Sequence, residues 1–141
     1  MITEIDNIFN MLDEANEIST QMQGIELAKN IQHLSMFFQP IESKSLWYNC
    51  AKVLIQKTNE QLRPYLIPMM EWLQDMNWPG ADLVYNRLLE FSFEEIRLQY
   101  EICLQMAQKK DDFSWYASLR TLKEEQEHGT EDGSVFQKSD N

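Results

Sequence analysis

The amino-acid sequence predicts an all-α fold of about seven helices, stacked as antiparallel pairs. Apolar residues recur at three- and four-residue steps along most of the chain, which is the spacing of one helix face. No segment sustains the alternation of apolar and polar residues that a half-buried strand shows. Short connections separate the predicted helices, as helix hairpins require. With 141 residues and 43% hydrophobic content, the chain is long and apolar enough for one packed domain.

The first three helices are predicted over residues 3–20, 25–38 and 44–58. Thr3 is the expected N-cap of the first helix, whose apolar face consists of Ile5, Ile8, Phe9, Leu12 and Ala15. Gly24 is expected to separate the first helix from the second. Pro40 ends the second helix, because proline cannot continue the backbone hydrogen bonds. Ser43 or Ser45 caps the third helix.

The next two helices are predicted over residues 60–75 and about 77–91. Pro64 fits the first turn of the fourth helix, where its missing N–H costs nothing. Pro68 predicts either a bend or a later helix start. Asn77 is a favourable N-cap for the fifth helix, with Pro79 in the opening turn.

Ser92 and Glu95 form a capping-box pattern that opens a sixth helix. Asp111 or Asp112 then caps a seventh helix, whose inward side is predicted to be Phe113, Tyr116, Leu119 and Leu122. We therefore predict one helical-repeat domain over residues 1–125. Residues 126–141 are polar and contain two glycines, so they are predicted to form a flexible tail.

The predicted helix starts near Ser45, Pro79 and Phe113 are spaced by roughly 34 residues, a period typical of helical repeats. Helices two to seven would then form three stacked pairs. Residues 64–77 resemble the first helix and turn of a HEAT-type repeat, with an early proline and an Asp-x-Asn turn. A Gly-Ala pair replaces the Val-Arg that is common just after that turn. The resemblance implies a divergent, HEAT-like α-α superhelix.

A second resemblance covers about residues 60–125. Residues 71–79, Glu-Trp-Leu-Gln-Asp-Met-Asn-Trp-Pro, resemble the hallmark box of a bacterial family of unknown function. Residues 111–115, Asp-Asp-Phe-Ser-Trp, resemble that family's acidic, tryptophan-containing opening to its last helix. The resemblance implies an α-helical bacterial protein, and it brings no activity, cofactor or catalytic residue.

The net charge of −11 argues against nucleic acid and anionic membranes as partners, because both attract clustered Lys and Arg. The same charge suits solubility or a basic protein partner. No secretory signal and no apolar run of membrane-spanning length is found in the sequence. Cys50 and Cys103 lie in apolar helical patterns and are predicted to be buried, reduced thiols. Together these features predict a cytoplasmic location.

Residues suited to metal or cofactor chemistry are scarce. The two histidines, His33 and His128, have no ligand partner at metal-binding spacing. The sequence contains no nucleophile elbow, no adjacent Cys–His pair and no phosphate-cradling glycine loop. We therefore predict no metal, no cofactor and no catalytic residue. Glu71 and Asp75 lie one helical turn apart and would be the acid/base pair of an enzyme, although capping and a solvated face explain them as well.

Eight residues are candidates for a binding surface or for structural turns. They are Glu71, Trp72, Asp75, Asn77, Trp78, Asp111, Asp112 and Trp115. Tryptophan is enriched at binding hot spots, but it is also a large core residue. Trp47 is predicted to be core by its spacing, and Trp78 is predicted to fix the angle between helices. If a tryptophan is exposed for binding, we expect it to be Trp78 or Trp115.

Three functional hypotheses remain open. The first is a non-enzymatic protein-binding module, in its sharper form an immunity protein that neutralises a basic toxin encoded beside it. The second is a small enzyme that uses helix-borne carboxylates. The third is a homo-oligomeric structural protein with an exposed aromatic patch as its interface. The sequence predicts neither the identity of the partner nor the oligomeric state.

Overall fold

The computed structural model describes residues 4–38 and 43–140, with side chains described as far as His128. The predicted all-α fold is confirmed, because these residues form helices and turns without a strand. The α-helices are α1 (Glu4–Leu12), α2 (Ile18–Ala28), α3 (Trp47–Ile55), α4 (Asn59–Leu62), α5 (Leu66–Glu71), α6 (Ala81–Leu88), α7 (Phe93–Lys109) and α8 (Phe113–Asp140). Short 3₁₀ segments are Ser35–Phe37, Lys44–Leu46, Arg63–Tyr65 and Trp72–Gln74.

The first helix is shorter than predicted. The sequence predicts one helix over 3–20, whereas the structure has a turn between α1 and α2. Asn16 closes the end of α1, because its side-chain Nδ2 donates to the backbone oxygens of Asn10 (2.6 Å) and Met11 (3.3 Å). The last carbonyls of a helix have no partner within the helix. A polar side chain in the turn therefore replaces the next helical turn.

Gly24 does not separate two helices, so that prediction is wrong. It lies inside α2 at the contact with α1, where an added Cβ would lie 2.9 Å from the Cβ of Met11. The missing side chain lets the two helices pack closely. α2 ends at Ala28, well short of its predicted end. The predicted N-cap Thr3 and the predicted breaker Pro40 lie outside the described residues.

The caps before α3 and α4 combine a confirmed prediction with a missed one. Ser43 Oγ accepts a hydrogen bond from the backbone N of Ser45 at 3.2 Å, which selects Ser43 as the cap before α3. α4 begins with a capping box of Thr58 and Gln61, which the sequence prediction misses. The predicted effect of Pro68 is confirmed, because a 3₁₀ turn interrupts the helix and α5 starts just before this proline.

The start of α6 differs from the prediction. Its N-cap is Gly80 and not Asn77. Gly80 has a φ of +84°, a left-handed conformation that glycine adopts without strain. An added Cβ there would lie 2.6 Å from the Cβ of Ala51, so the glycine also lets the turn approach α3. The helix therefore begins after this sharp turn, later than the sequence predicts.

The predicted caps of the last two helices are confirmed. Ser92 and Glu95 make the reciprocal hydrogen bonds of a capping box at the start of α7. Asp112 Oδ1 accepts a hydrogen bond from the backbone N of Trp115 at 3.0 Å, which caps α8. Asp111 has a φ of 53°, so it supplies the left-handed turn between the two helices.

The inward side of α8 is offset from the prediction. Its buried residues are Trp115, Leu119, Leu122 and Gln126, spaced as one helix face. Phe113, predicted to face inward, is 78% exposed. Gln126 Nε2 donates to the backbone O of Leu88 at 2.9 Å, so the first residue of the predicted tail packs against the domain. The α8 backbone continues to Asp140, and the flexibility of the tail stays a prediction.

The helices stack around one core. α1 packs on α2, α2 on α3, α3 on α6, α5 on α7 and α7 on α8. The largest fully buried side chains include Trp72, Trp115, Tyr100, Phe37 and Phe91. The domain boundary at residue 125 and the HEAT-like repeat stay predictions. Among the described residues, no helix combines the length and apolar character that a membrane crossing requires.

Candidate binding surface

The turn at residues 72–80 is held by tryptophans. Trp72 is fully buried, and its Nε1 donates to the backbone O of Pro79 at 3.0 Å. The Trp72 ring meets the Trp47 ring edge to face, with 6.3 Å between the centroids. Trp47 is buried, which confirms it as a core residue. Trp72 is therefore a structural residue that closes the turn onto α3.

Trp78 packs on the outside of the same cluster. It is partly buried, and its ring lies edge to face on Trp47 with 5.5 Å between the centroids. The contact joins the turn before α6 to the start of α3. Trp78 is predicted to fix the angle between helices, and that role requires a contact of this kind.

The polar residues of this turn serve its geometry. Asp75 Oδ1 accepts a hydrogen bond from the backbone N of Asn77 at 2.8 Å, and the backbone O of Asp75 accepts one from Trp78 at 3.0 Å. Asn77 is exposed, and Glu71 is partly exposed. One carboxylate oxygen of Asp75 is therefore used by the turn. The acid/base role of Glu71 and Asp75 stays a prediction.

Trp115 joins the second predicted motif to the first. It is fully buried, and its Nε1 donates to the backbone O of Met70, near the end of α5, at 2.9 Å. Of the two tryptophans considered for the surface, Trp115 is therefore excluded. The hydrogen bond and the capping carboxylate of Asp112 together fix the start of α8 beside α5.

Two hollows flank the first turns of α8. The first, of about 310 Å³, is lined by Ala107, Gln108, Asp111, Asp112, Phe113 and Tyr116. The second, of about 330 Å³, is lined by Met76, Tyr85, Ala117, Ser118, Thr121 and Glu125. Phe113 is the most exposed large hydrophobic side chain among the described residues. We call this region the α8 surface and define it by Asp111, Phe113, Tyr116, Met76 and Ala117.

The sequence prediction finds the acidic residues of the α8 surface but misses its aromatic ones. Both Phe113 and Tyr116 are predicted to face inward, although Phe113 is exposed and Tyr116 is only partly buried. Helical spacing could have predicted the exposure of Phe113. If Trp115 is assigned to the core, Phe113 lies two positions before it, and residues two apart lie on different sides of a helix.

The cysteines are free and buried, as predicted. Burial raises the pKa of Cys50 and of Cys103 to about 12, and the charge of Glu71 adds to the effect at Cys103. Such thiols are poor nucleophiles, because the thiolate is the reactive form. In the part of the chain that the structure describes, no group of three His, Cys, Asp or Glu residues is placed to hold a metal ion.

A protein-family model matches the part of the chain that carries the α8 surface. The family, described as Domain of unknown function (DUF5071), matches residues 48–132, which is more than half of the chain. This chain belongs to that family. The family domain, as we call residues 48–132, contains both of the predicted tryptophan motifs. No curated protein and no solved structure matches the chain.

Proposed function

We propose that this protein is a non-enzymatic protein-binding module that contacts a basic protein through its α8 surface. The observation that carries the proposal is Phe113, whose ring is exposed on an otherwise well-packed domain. Burying such a side chain contributes roughly 1.5–3 kcal/mol of favourable free energy. Because Phe113 is not buried in the fold, this free energy can contribute to binding of a partner. Aromatic residues of this kind are frequent anchors at protein interfaces.

The rigidity of the site supports the proposal. Phe113 is the first residue of α8, and Asp112 caps that helix through Trp115. Trp115 in turn is anchored on Met70. A side chain held on a fixed backbone loses little conformational entropy when it binds. The α8 surface is therefore prepared for contact before a partner arrives.

The chemistry of the α8 surface suits a Lys or Arg side chain of a partner. The Tyr116 ring already accepts a cation within the chain, because the Arg120 guanidinium lies 5.9 Å from its centroid. Phe113 offers a second aromatic face, and Asp111 is an exposed carboxylate beside it. Since Lys109 and Lys110 precede this turn, long-range attraction comes from the net charge of −11 more than from the turn itself.

The finer form of the proposal is a bacterial immunity protein that neutralises a basic toxin in the cytoplasm. Small size and strong negative charge suit an inhibitor of a positively charged enzyme, because complementary fields speed association and favour the correct partner. The α8 surface would then cover or distort the toxin through an anchored aromatic contact.

The experiment is co-expression of the chain with the products of its adjacent genes, followed by size-exclusion chromatography at low salt. We expect one stable complex and, if that product is toxic, rescue of growth. Phe113→Ser should weaken the complex by about tenfold or more. The matched control is Leu98→Ser, because Leu98 on α7 is 66% exposed but lies outside the α8 surface. Absence of both complex and rescue, or equal weakening by the two variants, would contradict the proposal.

A further inference from the structure

The second surface of interest is on α2, which buries its small and polar residues and exposes its large apolar ones. Gln21, Gly24 and Ala28 are its buried residues. Ile18 and Met22 are 67% and 63% exposed. An amphipathic helix at a domain surface normally has the opposite arrangement.

The exposed residues form a continuous groove with α3. Ile18, Met22 and Ile25 lie at steps of four and three, so they share one face of α2. A hollow of about 360 Å³ lies against Met22 and Ile25, and Ile55 of α3 also lines it. Glu26, Lys29 and Lys52 line it as well. We call these seven residues the α2 groove.

The orientation of α2 is fixed by buried contacts on its other side. Gln21 Nε2 donates to the backbone oxygens of Glu14 (3.3 Å) and Asn16 (2.7 Å). Gln21 Oε1 accepts a hydrogen bond from Asn49 Nδ2 at 2.9 Å. Gly24 lies against Met11, with no room for rotation of the helix. Ile18 and Met22 therefore cannot turn inward without breaking these contacts.

The charge around the α2 groove differs from that of the rest of the chain. The charged residues that line the hollow are two lysines and one glutamate, a balance of +1 within a net charge of −11. Lys29 pairs with the exposed Glu26 at 3.1 Å, and Lys52 lies 5.1 Å from the centroid of the Tyr48 ring. The one carboxylate that lines the hollow, Glu26, is thus paired with Lys29, and the charge of Lys52 favours an acidic group of a partner.

We propose that the α2 groove binds an amphipathic helix of a partner protein that has an apolar stripe and acidic flanks. Leucine-like residues at helical spacing would lie on Met22 and Ile55, and glutamates beside the stripe would meet Lys29 and Lys52. The eleven residues of α2 span about 16 Å, which matches about three turns of a partner helix. This groove shares no residue with the α8 surface, so each proposal stands or fails separately.

The test uses three labelled synthetic helical peptides and fluorescence anisotropy. The first has a leucine stripe flanked by glutamates, the second has lysines in place of the glutamates, and the third has serines in place of the leucines. We expect the acidic leucine peptide to bind about tenfold or more tightly than either of the others. Lys52→Glu should reduce the preference for the acidic peptide over the basic one.

Met22→Glu places a charge in the groove and should weaken binding of the acidic peptide by about tenfold or more. The matched control Leu98→Glu changes an equally exposed apolar residue on α7 and should leave binding unchanged. Circular dichroism checks that both variants fold. Absence of binding, equal binding of acidic and basic peptides, or a homodimer in light scattering that Met22→Glu dissociates would overturn the proposal. The last result would assign the groove to a second copy of the chain.

Discussion

The family domain and the N-terminal region, residues 4–38, are held in place by different kinds of contact. Within the family domain, enclosed indoles join the helices, as Trp115 does between α8 and α5. The N-terminal region is attached to the family domain by buried polar side chains as well as by apolar contacts; Gln21 lies on its own side, and Asn49 and Lys57 lie on the side of the family domain. Buried indoles therefore join helices within the family domain, whereas buried polar hydrogen bonds attach the N-terminal region to it.

Lys57 of the family domain makes the central polar contact to the N-terminal region. Its ammonium Nζ donates to three backbone oxygens after and within the last turn of α2, those of Ala28 (3.1 Å), Lys29 (2.9 Å) and Ile31 (2.7 Å). The residue is 5% exposed, and burial lowers the pKa of its amine. A positive charge at the C-terminal end of a helix also complements the helix dipole.

This difference affects how each part should respond to change. Apolar packing tolerates a replacement of similar volume, whereas a buried polar group that loses its partner keeps the full desolvation cost. We therefore expect the N-terminal region to detach as a unit before the family domain opens. Four predictions test this comparison.

The largest effect is expected from Lys57→Met, which keeps most of the length of the side chain and removes its charge. The free energy of unfolding should fall by about 3–5 kcal/mol, because one buried and two partly buried carbonyl groups lose their donor. Urea denaturation measures the loss. Hydrogen exchange should accelerate in α1 and α2 before it accelerates in α7.

The matched control is Lys52→Met, at the nearest preceding lysine, which lies on α3 with its amine near the Tyr48 ring. Its effect on the free energy of unfolding should be below about 1 kcal/mol. If the two variants are equally unstable, or if exchange rises uniformly along the chain, the comparison between the two parts is wrong.

The second effect compares the two glycines at close helix contacts. Gly80→Ala should cost about 2–4 kcal/mol, because its φ is positive and the new Cβ would lie 2.6 Å from that of Ala51. Gly24→Ala places a Cβ 2.9 Å from that of Met11 but also gains up to about 1 kcal/mol of helix propensity. Its net cost should be about 1 kcal/mol or less. Thermal unfolding measures the loss of stability in each variant. A larger loss in Gly24→Ala than in Gly80→Ala would show that the N-terminal packing is the more rigid.

A smaller effect is expected at the surface of the family domain, where Arg63 Nη2 donates to Glu95 Oε1 at 2.7 Å. The hydrogen bond from the backbone N of Ser92, and then that from Arg63, hold the pKa of Glu95 below its ordinary value of 4.5. A carboxyl with a lowered folded-state pKa stabilises the fold fully above its unfolded-state value. That contribution is lost as the pH falls from about 4.5 through the lower folded-state pKa.

Glu95→Gln should therefore flatten the acid side of the stability profile, measured as the urea midpoint at each pH. Arg63→Met should flatten it only partly, because the hydrogen bond from Ser92 remains. A profile as steep in Glu95→Gln as in the parent chain would assign the pH dependence to other carboxyl groups.

The smallest perturbation is chemical labelling of the thiols, which leaves the sequence unchanged. With a pKa of about 12, Cys103 should react with iodoacetamide at pH 8 at least about a thousandfold more slowly than an ordinary thiol. Mass spectrometry of the labelled peptides reads each cysteine separately. In Lys57→Met, labelling of Cys103 should stay slow under native conditions, because α7 belongs to the family domain. Rapid labelling there would mean that the two parts open together.

The features that could be predicted from the sequence are those set by near neighbours. The Ser92–Glu95 capping box, the Asp112 cap and the interruption before Pro68 each depend on residues within four positions. The binary pattern likewise predicts the stripe of α7, whose inward residues Ile96, Tyr100, Cys103 and Ala107 are buried. Asp111 and Asp112 could be predicted as residues of the turn before α8 for the same reason, because the turn depends on near neighbours.

The features that could not be predicted depend on distant partners. A lysine after a helix is usually solvated, and nothing near Lys57 indicates that carbonyls 26 to 29 positions earlier will enclose it. The exposure of Phe113 follows from the anchoring of Trp115 on Met70, 45 positions away. The turn between α1 and α2 was missed because the amide contacts of Asn16 stop a helix whose apolar spacing continues past it.

Lys57 also affects the order in which parts of the chain reach their stable packing during synthesis. Its own backbone O accepts a hydrogen bond from Arg87 Nη2 at 2.8 Å, 30 positions later in the chain. The N-terminal helices are synthesised before Lys57 and Arg87 have been added to the chain. These helices are thus synthesised first, but the contacts through Lys57 and Arg87 that stabilise them form last. The nascent chain, rather than the finished fold, is therefore the stage at which the apolar face of α2 most needs protection from aggregation.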